Sequence, residues 1–388
     1  MSVETITLGC RLNFAESETI RRLASTDDDW VVVNSCAVTN EAVRQTRQAI
    51  RRSHRERPNA RILVTGCAAE LDPAAFESMP EVDRVVGNDN KIGSLGADPH
   101  AVTGGFFGHV RSFVAVQTGC DHRCTFCSIW QARGPSRSLP FEAIRDAIVR
   151  ELQRGAKEIV LTGVDITSYD HKGMRLGELC QRLLAAIPAL ARLRLSSLDS
   201  IEIDDALFEL IAGDPRLMPH FHLSLQAGDD MILKRMKRRH SRSDAVRTVE
   251  RIKTARPDAT IGADLIAGFP TETEEMSLNS LRLLDDCDVV AAHIFPFSPR
   301  PNTPAARMPQ LPPELVKARA SRLRERATER RANWLDGLVG STLGVMVENN
   351  NKGHSDCFAP VRIDGARGDI GVAQVTGRDG DHLTAVWA

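Results

Sequence analysis

Short apolar segments alternate with helical patterns along most of this chain, and this rhythm restricts the possible fold more than any other feature. The first 87 residues contain three strand candidates, at Ile6–Leu8, Trp30–Val33 and Arg61–Val64. Helix patterns follow near Asn13–Leu23, near Glu41–Arg55 and after the third strand. The order strand, helix, strand predicts a parallel α/β sheet.

The same rhythm resumes from Phe113 at longer intervals. Six strand candidates lie at Phe113–Val116, Glu158–Leu161, Leu193–Ser196, His222–Leu225, Ile261–Ile266 and Val289–Phe295. Six strand–helix units predict a partial (β/α)6 barrel of the TIM type, with active-site residues at the carboxyl ends of its strands. A closed barrel has eight strands, so six would leave a side opening for a bulky substrate.

A chain of 388 residues exceeds one typical domain, and its composition suggests where it divides. Gly-rich and polar residues at 88–108 predict a linker. Six prolines between Pro299 and Pro313 predict an extended strap, and the pattern of Glu314–Trp334 predicts a basic helix. Short strands separated by Asn-rich and Gly-Asp turns predict a small C-terminal β-barrel. The expected division is an α/β domain at 1–87, a linker at 88–108, the partial barrel with its strap at 109–313, the basic helix at 314–339 and the β domain at 340–388.

Three cysteines stand in a CxxxCxxC run directly after the first predicted barrel strand. They are Cys120, Cys124 and Cys127. Three thiolates on one short loop can hold three irons of a 4Fe-4S cluster and leave the fourth iron open for chemistry. A Cys3His zinc site with His122 is the alternative, but structural zinc normally takes four closed ligands, and His122 lies between two of the cysteines.

Three further cysteines each follow one of the first three strands. Cys10, Cys36 and Cys67 are all preceded by a small residue. Because the carboxyl ends of parallel strands meet at one edge of a sheet, we expect these thiols to converge and to hold a second cluster. Buried free cysteines without a ligand are the alternative.

Charge and hydropathy exclude some classes of protein. There are 50 basic and 51 acidic residues, so whole-chain charge does not indicate a nucleic-acid partner. The longest apolar stretches have the length of strands, and the N-terminus lacks a basic-then-apolar signal, which predicts a cytoplasmic protein without a membrane anchor. Nine cysteines in such a chain indicate metal ligands rather than disulfides.

The cysteine run resembles the cluster motif of the radical S-adenosylmethionine (radical SAM) superfamily, and the whole chain resembles its methylthiotransferases. The matching phrases are Thr7–Asn13 with Glu16 and Glu18, Val33–Thr39, Val64–Cys67, Ala132–Ser138, Leu161–Val164, Leu223–Gln226, Leu233–Met236, Asp264–Pro270 and His293–Arg300. The resemblance implies two 4Fe-4S clusters, of which one cleaves SAM to a 5′-deoxyadenosyl radical. The other, held by Cys10, Cys36 and Cys67, would carry or donate sulfur, and a second SAM would supply methyl. The aromatic residue Phe126 would lie against the adenine of SAM.

Members of this family differ in substrate. One branch acts on N6-isopentenyladenosine in tRNA, one on N6-threonylcarbamoyladenosine in tRNA, and one on an aspartate of a ribosomal protein. Leu8, Arg11, the Glu16/Glu18 pair and Gly134–Ser138 most resemble the threonylcarbamoyladenosine branch. The resemblance therefore implies a tRNA anticodon stem-loop as substrate, an electron donor such as flavodoxin or ferredoxin, and a monomer. A noncatalytic iron–sulfur protein that binds RNA or senses redox state is the alternative of another class.

Two departures from the family pattern bear on these expectations. Ser128–Gln131 replaces an Ile-Pro-Tyr-like stretch after Cys127, which would change packing beside the SAM pocket. The C-terminal segment resembles the RNA-binding TRAM domain, but from Asp336 onward it carries seven acidic and four basic residues. Such a balance is poor for gripping phosphates.

The sequence offers other positions for RNA and SAM. Arg44, Arg47, Arg51 and Arg55 recur at helical spacing, and a denser basic run, Lys234, Arg235, Lys237, Arg238, Arg239 and His240, follows the fourth barrel strand. We expect the second run in particular to contact phosphates, because so many like charges repel each other without an anionic partner. Thr162, Gly163, Gln226 and Asp264 fall at barrel strand ends and are expected, from position alone, to line the SAM site.

Overall fold

The structure is a computed structural model that describes residues 3–24, 28–95 and 109–388. The expected linker at 88–108 lies partly outside these residues, and its described part ends in a short 3-10 turn, Gly93–Leu95. No helix within the described ranges is long and apolar enough to cross a membrane.

The N-terminal region is the predicted parallel sheet, with a fourth short strand. Its strands are Val3–Thr7 (β1), Trp30–Ser35 (β2), Arg61–Gly66 (β3) and Arg84–Val85 (β4), in the spatial order β1-β2-β3-β4. Its helices are Arg11–Leu23 (α1), Asn40–Glu56 (α2), Cys67–Leu71 (α3) and Pro73–Glu77 (α4). The second strand is buried along its whole length, as expected for a central parallel strand.

Six parallel strands form the predicted partial barrel. They are Arg111–Ala115 (β5), Glu158–Thr162 (β8), Leu193–Leu195 (β11), His220–Gln226 (β12), Thr260–Ala267 (β13) and Val289–Pro296 (β14). The first three and the last three form separate hydrogen-bonded sheets. Isolated bridges, Leu193 to Leu217 and Leu198 to Leu223, join the two sheets.

Helices cover the outside of the barrel, and short strands lie in its loops. The helices are Ile129–Arg133 (α5), Phe141–Gln153 (α6), Leu176–Ala186 (α7), Asp205–Gly213 (α8), Asp230–Met236 (α9), Arg242–Ala255 (α10) and Glu274–Asp286 (α11). The short strands are Gln117–Thr118 (β6), Arg137–Ser138 (β7), Asp170–His171 (β9) and Met174–Arg175 (β10), and 3-10 turns span Ile166–Ser168 and Pro304–Arg307.

Side chains on the barrel strands point alternately outward, into the core beneath the helices, and inward, into the barrel interior. On β12 and β13 the residues Phe221, Leu223, Ala263 and Leu265 belong to the apolar core shared with the helices. Their neighbours in sequence therefore point into the barrel, because side chains alternate across a strand. The N-terminal domain lies at the open side of this interior, where α1 packs along β5.

The C-terminal region is a long helix followed by a closed barrel of five strands. The helix is Pro313–Gly337 (α12), slightly longer than predicted, and it packs mainly on β14. The strands are Thr342–Asn349 (β15), Lys352–Ser355 (β16), Pro360–Arg362 (β17), Ile370–Asp379 (β18) and His382–Trp387 (β19).

This β domain docks at the amino ends of the barrel strands, opposite the expected active-site face. Phe358 stacks on His220 with ring centroids 5.1 Å apart, and the Arg111 guanidinium reaches Glu348 at 2.7 Å. Arg192 pairs with Asp356. Two acidic residues of the domain, Glu348 and Asp356, thus join it to arginines at the base of the barrel.

Glu158 is the centre of that junction. Its carboxylate is fully buried and accepts from Arg111, from Arg192 at 3.0 Å and from Arg194 at 2.9 Å. Burial alone would raise the pKa of Glu158, but Arg194 and its neighbours hold that pKa well below its usual range. The carboxylate stays ionised and balances three buried cations.

We expect Glu158→Gln to lower the free energy of unfolding by about 3–5 kcal/mol. It leaves the buried Arg194 without an acidic partner among the described residues and removes one of two partners from Arg111 and from Arg192. Guanidinium chloride unfolding followed by circular dichroism would measure the change. Glu178→Gln is the matched control, because it breaks an exposed pair with Arg182 and should cost at most about 0.5 kcal/mol. Since the folded pKa is lowered, the wild-type contribution is fully present above the ordinary carboxyl pKa and is lost as pH falls below it. Equal stability of the two variants would contradict this role.

Candidate active site

Glycines turn the chain at the ends of two N-terminal strands so that cysteines reach a common edge. Gly9 has φ +96° and Gly66 has φ +92°, a conformation that side chains rarely adopt. A Cβ on Gly9 would lie 2.7 Å from Cys36 Sγ, so the first strand end touches the second. Cys67 then opens α3, and Cys10 directly precedes α1.

The three strand-end thiols converge as the sequence predicts. Burial raises the pKa of both Cys36 and Cys10, and negative charge on neighbouring thiols adds to it: Cys10 and Cys67 act on Cys36, and Cys67 acts on Cys10. Cys10 is exposed, whereas Cys36 and Cys67 are buried. Surrounding protein raises the pKa of Cys10 by desolvation. This solvent-exposed thiol therefore lines a recess.

The CxxxCxxC loop leaves β6 at Gly119, where φ is +78° and a Cβ would meet Pro135 O at 1.9 Å. Gln117 organises the base of this loop. Its Nε2 donates to Gly119 O at 2.7 Å, and its Oε1 accepts from Asp165 N at 2.9 Å, which ties the loop to the end of β8. Only a glycine fits at 163, where a Cβ would lie 2.7 Å from Gln117 O.

The other side of the loop is fastened to α9. Thr125 Oγ1 donates to Arg235 O at 2.7 Å, and Thr125 N donates to Met236 O at 3.0 Å. Phe126 packs on an apolar wall that includes Ile266 and Phe269. The predicted adenine contact therefore lies on a hydrophobic surface at the carboxyl face of the barrel.

The two cysteine triads face each other across the interface between the domains. Helix α5, which follows Cys127, packs on α3, which begins with Cys67. Burial raises the pKa of Cys127, and the charge of Cys67 is near enough to add to that rise. Ser128 Oγ lies 3.5 Å from Ala37 O, one residue after Cys36.

Buried arginines stand behind the cysteines of both triads. Arg133 Nε donates to Cys67 Sγ at 3.3 Å, and Arg238 Nη1 lies 3.8 Å from Cys124 Sγ. Burial raises the pKa of Cys36, and the charge of Arg300 acts against that rise. The Nε atoms of Arg238 and Arg300 are buried without a hydrogen-bond partner among the described residues.

These features fit the anionic clusters that the sequence implies. Burial raises the pKa of Cys36 to about 11, of Cys127 to about 11 and of Cys120 to about 12, so the thiols are protonated at neutral pH. Iron would displace those protons, because the thiolate is the ligand form. The buried guanidinium groups, two with unused donors, would offset the charge of thiolate-bound clusters.

Arg133 is itself held by a buried polar network. It donates to Glu16 Oε1 at 2.6 Å and to Asn13 Oδ1 at 2.6 Å, and the buried Lys91 also binds Glu16. Burial would raise the pKa of Glu16, but Arg133 and Lys91 lower it to about 2. Glu16 therefore remains ionised and fixes the guanidinium beside Cys67.

His122 has a role other than completing a zinc site. Its Nε2 lies 2.5 Å from Asp165 and 3.5 Å from Glu202, and these contacts raise the pKa of His122 to about 10. The potential metal ligands grouped with it include Cys120 and Asp165, but not Cys124 or Cys127. The arrangement does not assemble a Cys3His site.

A polar layer lies inside the barrel, below the cysteine loop. Asp264 Oδ1 is 2.9 Å from His222 Nε2 and 3.1 Å from His293 Nδ1. Gly262 leaves the space for this contact, since a Cβ there would meet His222 Nδ1 at 2.5 Å. Three of the residues expected at the SAM site, Thr162, Gly163 and Gln226, lie at strand ends near the loop. Asp264 lies deeper in the barrel, because β13 continues to Ala267.

The predicted RNA contacts separate into different environments. Arg44 and Arg51 are exposed on α2, where they pair with Glu41 and Glu81, and Arg47 lies over the Phe76 ring. Lys234 and Lys237 are exposed and have no acidic partner within the described ranges. Arg235 donates to Thr271 O, and Arg239 pairs with Glu202.

Arg238 does not fit the phosphate role expected for it. Its side chain is 8% exposed and binds Asp199 and Ser224 O, both at 2.9 Å. Lys237 adopts a left-handed conformation with φ +62°, which turns the chain after α9 and directs Arg238 inward. Arg238 therefore lies in the cysteine site, and its burial does not favour the RNA contact, which stays a prediction.

Sequence reasoning missed several residues of this site. Arg133, His293 and Arg300 stand within the matching phrases but carry no predicted role, and Gln117 and His222 lie outside every matching phrase. A signal was available for Arg300, because it is a basic residue between two prolines within a matching phrase that lies in the proline-rich strap.

Comparisons with known proteins agree with the fold. The Radical SAM superfamily matches residues 114–284, and the uncharacterized protein family UPF0004 matches residues 2–87. A threonylcarbamoyladenosine tRNA methylthiotransferase, MtaB, of Rickettsia prowazekii is 42% identical over 99% of this chain and 97% of its own length. A tRNA-2-methylthio-N6-dimethylallyladenosine synthase of Cereibacter sphaeroides is 31% identical over 94% of this chain and 93% of its own length.

Among solved structures, the radical SAM methyltransferase TsrM of Kitasatospora setae is similar with a TM-score of 0.54. It is 15% identical, and the match covers 73% of this chain and 66% of that one. At this identity the likeness concerns the fold alone, which agrees with the six-stranded partial barrel.

Proposed function

Because the chain belongs to the radical SAM methylthiotransferase family, we propose that it converts N6-threonylcarbamoyladenosine beside the anticodon of tRNA to its 2-methylthio derivative. The reaction replaces the C2 hydrogen of the base with a methylthio group. The observation that carries the choice of substrate is the 42% identity, over nearly the whole chain, to a relative named for this nucleoside. The relative named for dimethylallyladenosine is only 31% identical over a similar length.

Each cysteine triad has its own role in this proposal. Cys120, Cys124 and Cys127 hold the 4Fe-4S cluster that binds SAM, and Cys10, Cys36 and Cys67 hold the auxiliary cluster. When bound, the first cluster and SAM supply a hydrogen-abstracting radical, while the auxiliary cluster carries or donates sulfur and a second SAM supplies methyl. Convergence of three strand ends on one recess supports the auxiliary role, because isolated core cysteines have no reason to meet.

The residues around the triads position the clusters and SAM and offset the negative charge of the thiolates. Arg133, Arg238 and Arg300 offset negative charge at the thiolates, and Glu16 keeps Arg133 in place. Phe126 offers an apolar face for the adenine of SAM, with Thr162, Gly163 and Gln226 at nearby strand ends. A substrate bound in the recess between the domains would exclude bulk water from a reactive radical.

RNA contact is proposed for the exposed basic residues at the rim of the cysteine loop. Lys234 and Lys237 flank the point where Thr125 is bonded to α9, so a phosphate bound there would lie close to the opening of the recess. Arg44, Arg47 and Arg51 on α2 form a second candidate surface, although two of these cations already have acidic partners.

Replacing Lys234 and Lys237 together with Gln should weaken tRNA binding and reduce its salt dependence by roughly one unit of log–log slope for each lysine–phosphate pair removed. Binding measured at several salt concentrations would detect both changes. The matched control replaces Lys317 on α12 and Lys352 on β16, which are exposed lysines away from the rim. Loss of tRNA affinity in the control variant, with no loss in the rim variant, would show that the C-terminal region binds the RNA and that the rim does not.

The remaining expectations stay predictions of this proposal. They include the anticodon stem-loop as the bound part of tRNA, a flavodoxin or ferredoxin as electron donor, a monomeric state and a cytoplasmic location. A ribosomal-protein aspartate is the competing substrate, and it would not require the basic rim.

A direct test uses anaerobically reconstituted protein with a reductant, SAM and anticodon stem-loop RNA. One RNA carries N6-threonylcarbamoyladenosine and the other carries N6-isopentenyladenosine. Nucleoside mass spectrometry should show one methylthio group gained by the first RNA only. Reaction of the second RNA alone, or of neither, would overturn the proposed substrate.

A further inference from the structure

Arg11 occupies an unusual place between the two domains. It is the first residue of α1 and directly follows Cys10, yet its side chain reaches β5 of the barrel. Its guanidinium lies over the Phe113 ring of β5, 5.8 Å from the ring centroid. Glu158 and Asp264 are near enough for their charges to act on it. Arg11 nevertheless remains exposed to solvent, so it lines the recess.

The Arg11 guanidinium has no hydrogen-bond or ion-pair partner within the part of the chain that the structure describes. Both nearby carboxylates are already used by other groups. Asp264 is held between His222 and His293, at 2.9 and 3.1 Å. Glu158 is enclosed by the three arginines at the base of the barrel. Five planar donors therefore face the recess without an acceptor.

The surroundings of Arg11 favour an anion from outside the chain. Arg111 stands two residues before Phe113 on the same strand, so a second cation lies near the Arg11 guanidinium. A guanidinium keeps its charge under such conditions. A carboxylate is the group that its donors match in bidentate geometry, and such charge-assisted hydrogen bonds are stronger than neutral ones.

We propose that Arg11 determines specificity by binding the carboxylate of the threonylcarbamoyl group on the substrate adenine. This inference rests on the proposed function and names the residue that would distinguish its substrate. The threonyl part carries a carboxylate, whereas the isopentenyl group of the rival nucleoside is a hydrocarbon. A hydrocarbon in the same place would leave the guanidinium unpaired, and this penalty discriminates more strongly than a difference in size.

The position of Arg11 also connects recognition to the site of reaction. Arg11 and Cys10 are consecutive, and the Cys10 thiol is the exposed one of its triad. A nucleoside held by its N6 substituent at Arg11 would keep its base beside the auxiliary triad. Phe113 provides an aromatic surface under the guanidinium at the same place.

The test compares two stem-loop RNAs that differ in one group. One carries the natural threonylcarbamoyl carboxylate, and the other carries its neutral carboxamide. We expect wild-type kcat/KM for methylthiolation to favour the acid by roughly 100-fold, the size typical of losing a charge-assisted hydrogen bond. Arg11→Gln should react with both RNAs at a similar, low rate. Arg11→Lys should keep part of the preference, because it retains the charge but not the planar fork.

Several controls separate this role from a structural one. Iron content of each variant would report cluster loading, and Arg145→Gln, an exposed arginine paired with Asp146, would give the baseline for losing one surface cation. KM for SAM is measured in every variant. An unchanged preference for the acid in Arg11→Gln would overturn the inference. A raised KM for SAM with equal loss on both RNAs would also overturn it, because Arg11 would then serve the cofactor.

Failure of the inference and failure of the proposed function give different results. If the wild type reacts with the acid but shows no preference over the carboxamide, the function stands and Arg11 is not the determinant. If the wild type modifies neither RNA and acts on the isopentenyl RNA, the proposed function itself is wrong.

Discussion

Alanine at Cys120, Cys124 and Cys127 together should remove about half of roughly eight irons bound by the reconstituted protein and should abolish SAM cleavage. The reason is that the other triad lies on separate strand ends and keeps its own ligands. Iron and labile sulfide analysis would measure the first effect. Chromatography of 5′-deoxyadenosine formed in the presence of a reductant would measure the second.

The chain offers a matched control for this loss. Cys180, Cys287 and Cys357 are buried free cysteines outside both triads. Alanine at these three positions removes the same number of thiols and should leave iron content and SAM cleavage close to wild type. Equal iron loss in the two triple variants would contradict separate sites. A single tightly bound zinc, without labile sulfide, would contradict the whole mechanism.

Alanine at Cys10, Cys36 and Cys67 should have the opposite pattern. Methylthiolation of RNA should disappear, because the proposed sulfur source is gone, while 5′-deoxyadenosine still forms at a measurable rate. The two products would be followed in one reaction by mass spectrometry. Gln117 and the α9 backbone stay in place in this variant, so the loop from Cys120 to Cys127 keeps its support.

Either of two results would reject the auxiliary role. One is full methylthiolation by this triple variant. The other is loss of 5′-deoxyadenosine formation while the iron of the first triad is retained, because the two triads would then act as one unit.

Much of the fold could be predicted because strand and helix periods are local properties of the sequence. The six barrel strands lie within a few residues of their predicted positions, and α2, expected at Glu41–Arg55, spans Asn40–Glu56. Convergence of Cys10, Cys36 and Cys67 also followed from a general rule, since parallel strands end at one edge of a sheet.

The supporting groups of the site could not be found in this way, because they depend on contacts between distant segments. Arg133 meets Cys67 only when α5 packs on α3. Arg238 sits in a basic run typical of phosphate contact, and only the left-handed Lys237 reveals that it turns inward. Acidic residues of the β domain have no role that the sequence alone predicts, and in the structure Glu348 and Asp356 face arginines at the base of the barrel.

The central claim is that this chain methylthiolates N6-threonylcarbamoyladenosine in tRNA, and nucleoside mass spectrometry of tRNA from cells lacking the gene tests it most directly. The account predicts that the 2-methylthio derivative disappears and N6-threonylcarbamoyladenosine accumulates. The gene for the wild type should restore the derivative, and the gene for the Cys10, Cys36 and Cys67 variant should not. Persistence of that derivative together with loss of 2-methylthio-N6-isopentenyladenosine would contradict the account.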